Sequence, residues 1–322
     1  MKKEDLLDYL IKQDDYISGS SLASIYGVSR NAIWKMVRQL EDDGIKIDSK
    51  PNKGYKIDKS INFINKAVLE QLINDDFYKI IVFKEIPSSN TYLKQNLDLE
   101  DGTVVFARSQ TAGRGILDRT FYSPIDTGLY FSILVKPKTV ATSSVYLTVL
   151  SAVACLEGIK EALGINVDIK WVNDLYKDGK KIAGILAEGT VNIDLNTLDK
   201  CIIGIGINVL RPTDGFNSEI KDIATYLIDK QDVNLNYLAA CILKAFKKHY
   251  LEYLNGDYRF KDTYIANQFL IGKDVESVNL ATNEKRIVKV LKINDDCSLM
   301  VIDKDGNSFN INSGEVRLLL NN

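Results

Sequence analysis

Two arginines and two glycines share the stretch SQTAGRGILDRTFYSP, Ser109 to Pro124. Glycines let a loop close on a ligand and arginines offset negative charge, so Arg114, Gly115 and Arg119 suit phosphate or adenylate chemistry. On its own the same run also reads as a simple turn. Ile116 interrupts it, with Leu117 and Asp118 behind. A second stretch, KWVNDLYKDGKKIAGIL, sets Asn173 and Asp174 just after a strand end and brings Lys181 back after a tight turn. A polar pair and a lysine converging from opposite sides of a hairpin suit a site that orients an acid and a phosphate. A third, IPSSNTYL, places Ser88, Ser89 and Asn90 at the start of a helix, with hydroxyl and amide groups fit for a neutral polar ring. Ser88 reads equally well as an ordinary helix N-cap. The chain has no GxxxxGK[ST], and GIGINV and GRGILD each begin GxG without a third glycine or a helix behind it, so a Rossmann reading is weak.

Strands must hold these residues. TVVFARSQ and GLYFSILVKP flank the glycine-arginine loop, and VDIKW, IAGILAEG and CIIGIGINV carry or follow the other motifs. One long helix is expected in SVYLTVLSAVACLEGIKEALG and another in NLNYLAACILKAFKKHYLEYLNG. Sheet runs around one or two long helices favour an α+β, multidomain architecture over a doubly wound one. From about residue 271, KDVESVNL, KRIVKVLKI, SLMVIDKDG and SFNINSGEVRLL read as short strands separated by turns, a small SH3-like barrel.

The first 62 residues read differently. KKEDLLDYLIKQ forms an apolar helical face, SGSSLASIYG a second short helix, and VSRNAIWKMVRQLEDDG a third that opens on Ser29 and stops at Gly44. IKIDSKPNKGYKI follows as a hairpin with Lys50, Lys53 and Lys56 at or near its tip. This is a winged helix-turn-helix order, in which Arg30, Asn31, Lys35 and Arg38 face a major groove and the wing lysines, Lys53 at the tip, hold backbone phosphates. Contact with protein alone is the other use of such a unit. Trp34 is assigned to packing.

At 322 residues, 45% hydrophobic and 26% charged, the chain can bury a sizeable core in two or three domains. No apolar run approaches the roughly 20 residues of a membrane helix, which with the acidic start favours the cytoplasm. Cys155, Cys201, Cys241 and Cys297 are far apart and His249 is the single histidine, so reduced thiols are expected in place of a disulfide framework or a structural zinc site. A net charge of −2 argues against bulk polyanion binding while leaving room for a local basic face.

Together the motifs resemble the bifunctional biotin protein ligases and biotin-operon repressors. The correspondence runs over essentially the whole chain: SGSSLASIYGVSRNAIWKMV and PNKGYKI, then IPSSNTYL, SQTAGRG, KWVNDLY, KKIAGIL, GIGINV and a terminal SGEVRLL. GRG, KWxNDLY and KxAGIL in that order are highly specific as a set. The resemblance implies a DNA-binding domain over 1–62, a catalytic domain over 65–270 related to class II aminoacyl-tRNA synthetases and lipoate ligases, and the SH3-like barrel over 271–322. It implies biotin and ATP as substrates, magnesium with the ATP, and biotinyl-5'-AMP held until a lysine of a biotin carboxyl carrier protein attacks. It further implies operator DNA as a partner and a homodimer favoured by the adenylate.

Carried over residue by residue, the resemblance puts Ser88, Ser89, Asn90 and Gln110 around the biotin ring system. Arg114, Gly115 and Ile116 fall in the loop that folds over biotin and adenylate, and Lys181 lies near the biotin carboxylate and α-phosphate. Lys181 and Arg114 are thereby the catalytic pair, and Gly184 admits backbone close to the ureido ring. Arg119, Phe121, Asn173 and Asn208 go to the nucleotide, Phe121 standing where the family has a tryptophan over adenine. Asp174 shapes the site, and no metal ligand is named. The family pattern commonly continues GRGR, whereas here Ile116 replaces the second arginine. The expectation is a loop that closes with Ile116 and Leu117 packed over the ligand and retains adenylate less tightly. A biotin-sensing repressor with lost or weak ligation is the alternative. A ligase for another acid, such as lipoate, fits KWVNDLY beside a winged helix less well.

Overall fold

The computed structural model describes residues 3–42, 44–58, 63–116, 119–140, 144–192, 194–229, 233–280, 282–313 and 316–320. Three helices come first: α1 (Lys3–Ile11), α2 (Gly19–Tyr26) and α3 (Arg30–Asp42). Ser18 caps α2 by accepting from Ser21 N at 3.0 Å, and Gly27 ends it in the left-handed region at φ 64°. Ser29 Oγ accepts from Ala32 N at 3.1 Å at the head of α3, the N-cap its position foretold. Ile33, Val37 and Leu40 then face Leu6, Leu10, Ile11 and Leu22 in one small core. The wing is the antiparallel pair β1 (Ile47–Lys50) and β2 (Gly54–Ile57). Gly54 is required there: at φ 107°, a Cβ would also stand 2.0 Å from the Ile17 carbonyl, which accepts from Tyr55 N at 2.9 Å and ties the wing to the segment before α2.

Trp34 corrects an expectation. It is not packed but 47% exposed, because it sits about 100° round the helix from Ile33 and so leaves the buried stripe. The Arg38 guanidinium, one turn on, lies 5.6 Å from its ring centroid.

Helix α4 (Lys66–Ile73) joins this unit to the rest. Asn65 caps it by accepting from Val68 N at 3.2 Å, and Asn74 stops it at φ 48°. Its Ala67 and Val68 belong to the N-terminal core, while Leu69 and Ile73 belong to the main core. Eight residues make a marginal helix in water, so burial on both faces is what holds α4 in place. Around it, Asn236 accepts from Asn65 N and donates to Phe63 O, each at 2.8 Å, and the Arg108 guanidinium stacks 3.9 Å from the Phe63 ring.

The main body is an eight-stranded sheet built from β3 (Lys79–Ile86), β4 (Thr103–Gln110), β5 (Gly128–Val135), β6 (Thr139–Val140), β7 (Asp168–Lys170), β8 (Asp174–Lys177), β9 (Lys180–Asn192) and β10 (Thr197–Asn208). The order is β3-β4-β5-β10-β9-β8-β7, with β6 beside β10; only β3 and β4 are parallel. Along β10, Ile203, Ile205 and Ile207 point into the main core with the long helices α6 (Ser144–Leu163) and α7 (Leu235–Leu254). The alternate residues Ile202, Gly204, Gly206 and Asn208 lie on the other face, the period of two that any strand imposes. On that face the short helix α5 (Ser89–Gln95) rests Leu93 on Val105, Leu134 and Ile202. Helices segregated against a largely antiparallel sheet are the α+β arrangement.

A last helix, α8 (Phe260–Ala266), precedes a five-stranded antiparallel sheet of β11 (Asp274–Asn279), β12 (Lys285–Ile293), β13 (Leu299–Asp303), β14 (Ser308–Ile311) and β15 (Val316–Leu320), ordered β14-β13-β12-β11-β15. Its buried Val275, Val288, Val290, Leu299 and Val301 continue the main core without a break. Trp171 Nε1 donates to the Cys297 carbonyl at 2.8 Å across the seam. All four cysteines are free and buried.

Candidate active site

The site face of the sheet is floored by glycine. Gly184 of β9 lies opposite Gly206 of β10, and Leu186 opposite Gly204; across β10, Gly204 faces Ser132 and Gly206 faces Tyr130 of β5. Missing side chains leave a trough, and three groups use the space. A Cβ at Gly204 would come within 2.2 Å of Asn90 Oδ1, and one at Gly206 within 2.6 Å of the Phe121 ring. At Gly184 the nearest atom would be Lys181 Nζ, 3.1 Å away. Asn90, Phe121 and Lys181 thus converge over one strip of backbone.

One end of the trough is cationic. Lys181 Nζ pairs with Asp174 Oδ1 at 2.6 Å, so of the three residues read as converging these two meet, while Asn173 turns to the strand beneath. A register shift between Leu175 and Tyr176 lets Lys181 lean over Gly184, and its backbone is fixed by Lys181 N donating to Ile223 O at 2.9 Å and Thr225 N donating to Lys181 O at 2.8 Å. Lys170, opposite Asp174 in the β7–β8 ladder, joins them. Burial pushes the Lys170 ammonium below its ordinary pKa; Asp174 opposes the shift, while Lys181 and Arg119 add to it. Three cations against one carboxylate leave a surplus of positive charge that a phosphate or carboxylate would relieve.

The other end is polar and largely buried. Ser88 caps α5, its Oγ 3.4 Å from Thr91 N, so the plain capping role is present. Ser89 N donates to Gln110 Oε1 at 2.8 Å, and Gln110 Nε2 donates to Ser123 Oγ at 3.1 Å. Ser132, buried in the middle of β5, donates to Asn90 Oδ1 and lies 2.7 Å from Ser89 Oγ. Asn90 Nδ2 donates to Glu188 Oε2 at 3.0 Å. Asn173 and Asn208 serve the frame: Asn173 Nδ2 donates to Ile185 O at 2.8 Å, and Asn208 Nδ2 to Thr225 O at 3.1 Å.

The glycine-arginine loop is a small hairpin. Arg114 bridges Thr120, Gly115 N donates to Arg119 O at 2.7 Å, and Phe121 N donates to Gly113 O at 2.9 Å. Gly113 permits the close turn, since a Cβ there would meet the Phe121 carbonyl at 2.4 Å. Arg114 and Arg119 are exposed at the rim, and Ile116 stands 40% exposed. Leu117, expected to pack with Ile116 over a ligand, lies outside the described residues, as does Asp118.

A second polar surface lies on the N-terminal unit. Arg30, Asn31, Lys35 and Arg38 are exposed on α3 and Lys53 at the wing tip; Arg38 also pairs with Glu41 at 2.9 Å. Sequence reasoning left out Ser132, Lys170 and Glu188. Ser132 had a signal: a lone serine in GLYFSILV must find a buried partner.

Residues 82–208, which hold the whole trough, match the Biotin/lipoate A/B protein ligase family, and residues 2–56 match an HTH domain. A curated "Bifunctional ligase/repressor BirA" of Bacillus subtilis is 30% identical over 312 residues, 94% of this chain and 95% of that protein. The protein of the same description in Escherichia coli is 32% identical over 74% of this chain and 73% of its own length. The biotin protein ligase of Aquifex aeolicus, solved with biotin and ATP, superposes with a TM-score of 0.64 at 28% identity, covering 76% of this chain and 100% of that one. Because the likeness to the Bacillus protein spans both the trough and the helix-turn-helix, the chain belongs to the family of bifunctional biotin ligase/repressors.

Proposed function

We propose that this chain is an ATP-dependent biotin protein ligase that also represses transcription through its helix-turn-helix unit. The observation that carries the reading is one trough with a buried polar end at Asn90 and a cationic end at Lys181, Lys170 and Arg119, in a chain of this family.

Biotin lies with its ring toward Ser88, Ser89, Asn90 and Gln110, over Gly184, and its carboxylate toward Lys181. A carboxylate oxygen attacks the α-phosphorus of ATP, the bond to the bridging oxygen breaks, and pyrophosphate leaves. Lys181, aided by Lys170 and Arg114, stabilises the charge gathering on the phosphoryl oxygens. Arg119 and Phe121 hold the nucleotide, with Asn173 and Asn208 fixing the strands beneath it. The neutral amine of a carrier-protein lysine then attacks the acyl carbon, AMP departs with the bonding electrons, and the amine proton passes to solvent. Magnesium enters with ATP, held by its phosphates. Arg114, Gly115 and Ile116 form the loop that covers biotin and the adenylate.

The repressor half reads a major groove with Arg30, Asn31, Lys35 and Arg38 and holds backbone with Lys53. The acting form is a homodimer, and ordering of the loops by biotinyl-5'-AMP favours it, so that biotin supply and DNA occupancy are coupled by differential affinity. Domain limits of 1–62, 65–270 and 271–322, the last closing as an SH3-like barrel, complete the proposal. Action in the cytoplasm is part of the same proposal; no helix among the described residues is long and apolar enough to cross a membrane.

Incubation with labelled biotin, magnesium and ATP, with and without an apo biotin carboxyl carrier domain, tests the reading. Label on the carrier lysine is the expected result. Bound biotin with no adenylate and no labelled carrier would instead identify a sensor-only repressor, the reading that Ile116 favours.

A further inference from the structure

Glu188 lies on β9 beyond Leu186, on the site face, and its carboxylate turns toward helix α5. Oε2 accepts from Asn90 Nδ2 at 3.0 Å, and Oε1 pairs with Lys94 Nζ at 2.5 Å. Residues 90 and 94 are one turn apart, so one carboxylate on the sheet grips a single face of α5. With seven residues, that helix takes its position from whatever holds it.

The same carboxylate decides how the Asn90 amide points. An ionised carboxylate only accepts, so it demands the NH₂ group; the Ser132 hydroxyl meets the opposite end, Oδ1. Turned over, the amide would set Oδ1 against Glu188 in a site where Asn90 is 4% exposed and water cannot compensate. Ser132 continues to Ser89, Gln110 and Ser123, so the orientation set at Glu188 propagates along the whole polar end of the trough.

We propose that Glu188 is a positioning residue for biotin recognition: it holds the Asn90 amide in one orientation over Gly204, presenting its second N–H to the uncharged acceptor of the ligand ring. The inference rests on the placement of biotin's ring at Asn90.

Steady-state kinetics on the full-length protein separate the cases. Glu188→Ala should raise KM for biotin about ten-fold, the loss of one charge-assisted hydrogen bond, while KM for ATP and kcat at saturating biotin stay near native. Asn90→Ala should raise the same KM, and adding Glu188→Ala to it should change little further, because one route carries both effects. Glu188→Gln keeps an acceptor for Asn90 and should restore KM to within about three-fold; it also serves where Glu188→Ala does not fold. Additive effects of the two alanine variants, a parallel loss in kcat and both KM values, or a Gln variant as impaired as Asn90→Ala would overturn the proposal. An Asn90→Ala variant with native KM for biotin would instead refute the ring placement and remove the inference with it.

Discussion

Among the described residues, no other cation shares the reach of Lys181 in the trough, since burial pushes down the Lys170 ammonium and Arg119 stands at the rim. Lys181→Met should therefore lower the rate of adenylate formation by about 10²–10³, the usual cost of removing one stabilising donor, measured as pyrophosphate release. Ile116 supports the opposite experiment. Ile116→Arg restores a guanidinium at the rim, and a direct charge-assisted contact of about 1.5–3 kcal/mol should slow biotinyl-AMP dissociation ten-fold or more; an unchanged off-rate would show that the loop does not reach the ligand there. At this scale the motifs made Lys181 and Asp174 legible, because a hairpin turn forces residues on its two arms together. Lys170 and Glu188 were not legible, since their roles come from cross-strand register and a helix lying over the sheet, neither of which is local in sequence.

Between elements, His249 clamps the two long helices. Its Nε2 lies 2.9 Å from Glu157 Oε2 on α6 and its Nδ1 2.8 Å from Glu252 Oε2 on its own α7. Burial alone would lower the imidazole pKa, but the hydrogen bonds to Glu157 and Glu252 outweigh it and the net shift is upward; the same bond holds Glu157 below its usual range. A raised folded-state pKa gives stability that is complete below the unfolded value of 6.5 and lost as pH rises through the folded one. The depressed Glu157 acts in reverse, contributing above 4.5 and fading as pH falls. Thermal midpoints should thus be highest between those values and fall toward pH 8, and His249→Gln should flatten that alkaline fall. On α3, exposed Trp34 should be the emission that changes on operator binding, because Trp171 is buried and bonded to Cys297 O. Trp34→Ala should weaken binding by roughly the 1–3 kcal/mol of a base contact, read by titration with labelled DNA; native affinity would place α3's indole outside the groove. The long amphipathic helices and the wing were readable from periodicity, whereas α4 was not. KAVLEQLI carries apolar residues on two faces for two cores, which erases the single stripe by which a surface helix is recognised.

For the whole molecule, α4 makes the junction of the DNA-reading unit and the ligase a shared element. A chain shortened to begin at residue 63 should keep the trough but expose Ala67 and Val68, losing about 2 kcal/mol and several degrees of thermal midpoint; Val68→Lys in that background should improve its solubility. An equally stable shortened chain would mean that α4 owes its place to the main core alone. Fold class was legible at this scale because strand runs, helix runs and turn signals occur in separate blocks. What could not be read is that hydrophobic contact crosses both proposed boundaries, through Val68 at one and Val275 at the other.

That sharing sets a condition on ancestry. A lineage that discarded its operator-reading half could not simply cut at the loop; it would have to repaint one face of α4 with polar residues or lose the helix as well. The seam along which these two functions can part company therefore runs through positions 67 and 68, inside an element that neither function alone would have specified.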